Sequence, residues 1–127
     1  MRFICLGYFD ESKWNAIPKS EQQKHMEECF AYDDELRQSG NMLGGEALQC
    51  FQNTITLRKQ NGKVVTTDGP YMETKEHLGG FFILEARDLN HAIALVSKHP
   101  GLQNSVFEVR ALDEEIRRLL DARIIKK

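Results

Sequence analysis

Apolar and polar positions recur along this chain with periods that mark out its elements. Arg2 to Phe9 (RFICLGYF) puts Phe3, Cys5, Gly7 and Phe9 on one face and Ile4, Leu6 and Tyr8 on the other, the pattern of a strand covered on both sides. Asp10 to Ile17 is polar and is expected to be loop. Pro18 followed by Ser20-x-x-Gln23 supplies a helix start with a capping box. Met26, Cys29, Phe30, Asp33 and Leu36 then keep the helical period to about Gln38, with Asp33 as the one polar intruder, and Gly40 closes the helix. Met42 to Leu48 forms a second strand, interrupted by Gly44-Gly45. Asn53 to Lys59 and Lys63 to Thr67 flank Gln60-Asn61-Gly62, a strong hairpin signal. Asp68-Gly69-Pro70-Tyr71 is a turn, Met72 to Leu78 is loop with a turn of helix, and Gly79-Gly80 opens a third core strand, Phe81 to Ala86. Asp88 caps a second helix whose stripe is Leu89, Ala92, Ile93, Leu95 and Val96, ended by Lys98-His99-Pro100-Gly101. Ser105 to Leu112 is the fourth core strand, and a short charged helix runs from Asp113 to about Arg123.

The order β-α-β, hairpin insertion, β-α-β predicts an α+β, ferredoxin-like domain over residues 1–127. Two helices cover one face of a four-stranded antiparallel sheet, so the other face is wet or covered by a partner. Phe81, Ile83, Glu85, Glu108 and Arg110 fall on that second face. Apolar residues mixed with a few charges predict a homodimer whose sheets face each other around a cavity. There Glu85, Glu108 and Arg110 pair with one another or anchor a small-molecule ligand.

Composition narrows the function classes. With 127 residues, 41% hydrophobic and 28% charged, the chain suits one soluble globular domain. Its 17 Lys plus Arg against 19 Asp plus Glu leave a net charge of -2, with no basic excess for nucleic acid or an anionic membrane. No apolar run approaches a bilayer span, and the N-terminus lacks the pattern of a signal peptide, so a cytoplasmic location is expected. Cys5, Cys29 and Cys50 show no zinc-site spacing and are expected to be small buried hydrophobes. No metal site or nucleotide-binding glycine fingerprint is present, and no cofactor is expected. His25, among Glu27 and Glu28, is expected at the surface; His91 and His99 are expected to face solvent.

The densest chemistry lies between Thr67 and Phe81. A tight turn at Asp68 presents Tyr71, Glu73, Lys75, Glu76 and His77 near a strand edge. A carboxylate beside a histidine is equipped for general acid–base work, although turn chemistry and solvated charges account for the same residues.

The runs LGGEALQ, TDGPYMETKEHLGGFFILEARDLNHAIALVSKHPG and VFEVRAL resemble the YCII-related family, and within it the DGPF-domain subgroup. Tyr71 stands where that subgroup usually has Phe, and Ala111 where it often has Pro. The resemblance implies a ferredoxin-like subunit forming a dimeric α/β barrel, and a His–Asp pair lining the cleft. Asp68 matches the Asp; His25 and His77 are both candidates for the His. DGPF-type proteins are also similar to segments found beside, or joined to, alternative sigma factors. Two functions are therefore carried forward. In the first, a homodimer binds a small metabolite, Asp68 and His77 supply acid–base chemistry, and Tyr71, Glu85, Glu108 and Arg110 hold the ligand. In the second, the chain is a non-catalytic regulatory or sensor module partnering a sigma factor.

Overall fold

In chain order the elements are β1 (Arg2–Phe9), α1 (Glu11–Asn15), α2 (Lys19–Gln38), β2 (Met42–Ala47), β3 (Ile55–Gln60), β4 (Lys63–Asp68), β5 (His77–Glu85), α3 (Leu89–Ser97), β6 (Val106–Ala111) and α4 (Glu114–Ile125). They are those of a computed structural model that describes residues 1–125. Short 3₁₀ turns at Phe51–Asn53 and Pro100–Gln103 connect them. The four-stranded sheet has the order β2-β5-β1-β6, and every pairing is antiparallel. β3 and β4 form a separate two-stranded hairpin. Asn61 (φ 51°) and Gly62 (φ 79°) both adopt the left-handed conformation at its tip, as a two-residue primed turn demands.

The helices cover the face of the sheet that carries Phe3, Cys5 and Leu84. These pack with Leu36 of α2, Met42, Ala86, and Ala92 and Val96 of α3 into the buried core. Register puts Ile4, Leu6, Tyr8, Ile83, Glu108 and Arg110 on the opposite face, away from the α2 and α3 core. α4 leaves Ile116, Leu119, Leu120 and Ile124 exposed.

Several local expectations give way. Asp10 to Ile17 is not all loop: Asp10 accepts N–H bonds from Ser12 and Lys13 and nucleates α1. Hydrogen bonding holds the Asp10 carboxyl below its usual range, the Ser12 hydroxyl contributing most. No capping box forms at α2, because Pro18 occupies the cap position without a side-chain bond. Gln22 instead donates to the carbonyls of Trp14 and Ile17, tying α1 onto the start of α2. β5 begins at His77 rather than Phe81, since His77 and Leu78 pair with Phe9 and Tyr8 beyond a bulge. A side chain at the bulged Gly79 would lie 2.3 Å from the Phe9 ring, so only glycine lets that ring cross the sheet. The cysteines are not uniformly buried either: Cys5 is buried, Cys29 half-buried and Cys50 exposed.

Candidate functional site

Between α2 and the Gly7–Gly45–Gly80 end of the sheet lies a cavity of about 580 Å³. It opens there because residues of the sheet beneath α2 have no side chains to fill the gap. Phe9, Trp14, Phe30, Phe82 and Phe107 give the cavity aromatic walls, and His25, Cys29, Asp33 and His99 supply its polar groups. His25, Cys29 and Asp33 stand four residues apart on α2, so the helical period places them in one row facing the sheet.

His99 is 7% exposed and is the buried polar residue of the core among the described residues. The expectation that it faces solvent fails because the 3₁₀ turn after α3 folds its ring beneath α2. Tyr32 and Phe107 meet the ring edge-on at 5.5 and 5.3 Å between centroids, and Phe82 stacks on it at 5.8 Å. Tyr32 is fixed in turn by donating to the carbonyl of Leu95. Burial, with the Glu35 charge adding to it, pushes the Tyr32 hydroxyl above its ordinary range.

Both ring nitrogens of His99 are engaged. The backbone N–H of Gly101 donates to Nδ1 at 2.9 Å, so the neutral ring carries its proton on Nε2. Nε2 lies 2.8 Å from Oδ1 of Asp33 and donates to it. No nitrogen is left to accept a proton from a ligand. Asp33, 20% exposed and lining the cavity, is the group free to do so. The arrangement is a carboxylate aimed by a backbone-locked imidazole.

His25 lies at the same cavity nearer the sheet's open end. Its Nε2 is 3.7 Å from the Cys29 sulfur, its ring tilts against Trp14 at 5.7 Å, and its buried Nδ1 has no hydrogen-bond partner. Burial, followed by the charges of Asp33 and Glu28, pushes the Cys29 thiol up to about 11. Cys29 is therefore a neutral thiol near pH 7 and no ready nucleophile. Among the described residues no group of three His, Cys, Asp or Glu side chains is placed to hold a metal ion.

Of the residues singled out from the sequence, His25, one of the two candidate histidines, lines this cavity, whereas Asp68, Tyr71, His77, Glu85, Glu108 and Arg110 lie elsewhere. Asp68 ends β4 on the hairpin; the adjoining turn is closed by Gly69 N–H donating to Thr54 and by the Thr56 hydroxyl donating to Gly69. Tyr71 is 72% exposed under the Arg58 guanidinium. The His77 ring stacks flat on Phe51 at 3.6 Å, and its Nδ1 is also without a partner. Glu85 is half exposed, 3.7 Å from the N-terminal ammonium. Glu108 and Arg110 share the open sheet face with Tyr8, whose hydroxyl is pushed up by burial and by the neighbouring Glu108 carboxylate. The structure thus gathers Tyr8, Glu108 and Arg110, and separates them from Asp68, Tyr71 and His77. Asp33 carried one sequence signal, a carboxylate on the apolar period of α2. His99 carried none, since its burial depends on a turn that packs only in three dimensions.

Among the described residues no helix is long and apolar enough to cross a membrane. The YCII-related domain family matches residues 1–116. An uncharacterized protein of Rhizobium meliloti (strain 1021) is 31% identical over 114 residues, spanning 88% of this chain and 92% of that protein. Among solved structures, 5-chloro-2-hydroxyhydroquinone dehydrochlorinase (TftG) from Burkholderia phenoliruptrix AC1100, in complex with 2,5-dihydroxybenzoquinone, is similar with a TM-score of 0.53 and 16% identity over 89% of this chain and 94% of its own. That likeness is one of fold, a mixed α+β subunit built on an antiparallel sheet. The family match over nearly the whole length, carried by the same strands and helices that frame the cavity, makes the chain a member of the YCII-related domain family.

Proposed function

We propose that the protein is an enzyme that binds a small hydroxyl-bearing cyclic molecule in the cavity beneath α2 and moves a proton with Asp33. The observation that carries this reading is the Asp33–His99 pair, a carboxylate held at 2.8 Å by a buried imidazole and open to an aromatic-walled cavity. A flat ring suits the Phe and Trp walls, and a hydroxyl on it gives Asp33 a proton to accept. His99 fixes the carboxylate, and His25 offers a second polar group farther along the same wall. The fold-level neighbour acts on a chlorinated hydroxyhydroquinone and was solved with 2,5-dihydroxybenzoquinone, and its name supports this substrate class by analogy.

The finer assignments belong to the same proposal: DGPF subgroup, homodimer, cytoplasmic location. The apolar sheet face away from the α2 and α3 core supports the dimer, with Tyr8, Glu108 and Arg110 paired at its centre rather than binding substrate. No observation favours the sigma-factor reading. The test is turnover of a panel of hydroxylated benzenes and quinones, with 5-chloro-2-hydroxyhydroquinone included. Activity abolished in Asp33→Asn and kept in Asp68→Ala supports the proposal. Activity lost in Asp68→Ala and kept in Asp33→Asn overturns it.

A further inference from the structure

A second cleft, of about 390 Å³, adjoins the cavity, and Lys13, Lys75, Glu76 and Gln103 are among the residues that line it. Trp14, Asn104 and Ser105 line both spaces, so the two meet there. Local structure explains the meeting point. Asp10 caps α1, Gln22 holds the carbonyl of Trp14, and the His25 ring lies against the indole, so Trp14 stands fixed. The 3₁₀ turn Pro100–Gln103 ends just before Asn104 and β6 starts at Val106, which delivers Asn104 and Ser105 to the same boundary. Both volumes fall within the roughly 300–1,000 Å³ of small-molecule sites.

The two spaces differ in chemistry. The cavity has aromatic walls and the Asp33 carboxylate. The cleft carries both signs in equal number, Asp10 and Glu76 against Lys13 and Lys75. Asp10 is already engaged by the Ser12 hydroxyl and by the N–H groups of Ser12 and Lys13. Among the described residues the side chains of Gln103, Asn104 and Ser105 have no hydrogen-bond partner. A charged substituent of either sign meets like charge here as well as opposite charge, so the cleft selects neither. Amides, a hydroxyl and balanced charges instead present donors and acceptors together, the complement of hydroxyl groups that do both.

We propose that the substrate is bipartite: a hydroxyl-bearing ring in the cavity, and on it an uncharged, hydroxyl-rich substituent of sugar size that crosses at Trp14 into the cleft. Lys75 and Gln103 then bind the substituent, while Asn104 and Ser105 hold the junction. This rests on the Asp33 reading and extends it from a bare ring to a ring glycoside.

Isothermal titration calorimetry compares hydroquinone, its monoglucoside and para-hydroxybenzoate on wild type, on Lys75→Ala/Gln103→Ala and on Asp33→Asn. All three probes keep one free ring hydroxyl for Asp33; they differ in carrying no large substituent, a sugar or a carboxylate. Lys75 and Gln103 are exposed and line the cleft but not the cavity, so their truncation leaves the fold and the ring site intact. The expected result is a glucoside bound at least about tenfold more tightly than hydroquinone by wild type. In Lys75→Ala/Gln103→Ala that advantage should shrink to less than about threefold, with hydroquinone affinity unchanged. A glucoside that binds wild type no more tightly than hydroquinone, or not at all, overturns the proposal. So does an advantage that survives the double substitution, and so does para-hydroxybenzoate binding more tightly than the glucoside, which assigns the cleft to anions. The hydroquinone arm separates the two readings: affinity lost in Asp33→Asn keeps the Asp33 reading even if the glucoside gains nothing. A glucoside advantage that depends on Lys75 and Gln103, with hydroquinone indifferent to Asp33→Asn, keeps the cleft and removes the role of Asp33.

Discussion

Replacing His99 by phenylalanine isolates what the imidazole nitrogens contribute. The six-membered ring keeps the contacts with Tyr32, Phe82 and Phe107 and removes two hydrogen bonds, from Gly101 N–H and to Asp33. Gly101 is buried, so its N–H finds no water, and an unsatisfied buried donor costs about 1–3 kcal/mol. The bond to Asp33 is charge-assisted, about 1.5–3 kcal/mol on its own, but the cavity can rehydrate a carboxylate that is 20% exposed. The two together come to about 3 kcal/mol, a large part of the roughly 5–15 kcal/mol that stabilises a domain. Asp33→Asn keeps an oxygen to accept from Nε2 and should cost less than about 1 kcal/mol. The assay is urea unfolding followed by circular dichroism, at one fixed protein concentration because dimerisation would otherwise shift the midpoint. A His99→Phe protein within about 0.5 kcal/mol of wild type would refute the reasoning, since an ordinary surface substitution does no more.

Other outcomes follow from the same geometry. Asp33→Asn should lower turnover by about 10²–10⁴-fold with the fold intact, the loss expected for a proton-transfer group, as read by steady-state kinetics. A Cβ at Gly101 would lie 2.8 Å from Phe107 and 3.0 Å from His99 Nδ1, so Gly101→Ala should cost about 1–3 kcal/mol and weaken ligand binding, both measurable on one preparation. Burial pushes the Cys5 thiol up to about 12, and burial with two nearby carboxylates pushes Cys29 up to about 11, against 9.0 for an ordinary thiol. The unfolded chain ionises first, so the two thiols leave stability unaffected well below pH 9 and lower it as pH rises from there toward 11–12, detectable by unfolding at stepped alkaline pH. In the folded protein at neutral pH, iodoacetamide should label Cys50 and leave Cys5 and Cys29 slow, which peptide mass mapping resolves.

The sheet was legible because its signals are local. The two-sided apolar pattern of Arg2–Phe9, the Asn61-Gly62 turn and the Asp88 cap each depend on a few adjacent residues, and each element forms where those residues stand. Alternation also put Ile83, Glu108 and Arg110 correctly on one shared face. The site was not legible from that face, because the cavity lies on the other side of the sheet. Its floor exists only once register brings Gly7 opposite Gly80 and Gly45 opposite Phe82. His99 lies 66 residues from Asp33, and a histidine before proline at a helix end looks like a terminator until the chain folds. The resemblance to the family implied a His–Asp pair in a cleft. The pair lining the cavity here is His99 with Asp33, and Asp68 stays on the hairpin. α1 was missed although Asp10 carried its cap, since five residues are too few to show a period.

The most direct measurement is the fluorescence of Trp14 titrated with 2,5-dihydroxybenzoquinone in wild type, Asp33→Asn and Asp68→Ala. The account predicts saturable quenching in wild type and Asp68→Ala, with affinity reduced at least about tenfold, about 1.4 kcal/mol, in Asp33→Asn. Binding that ignores Asp33→Asn and disappears in Asp68→Ala would contradict it and move the site to the hairpin.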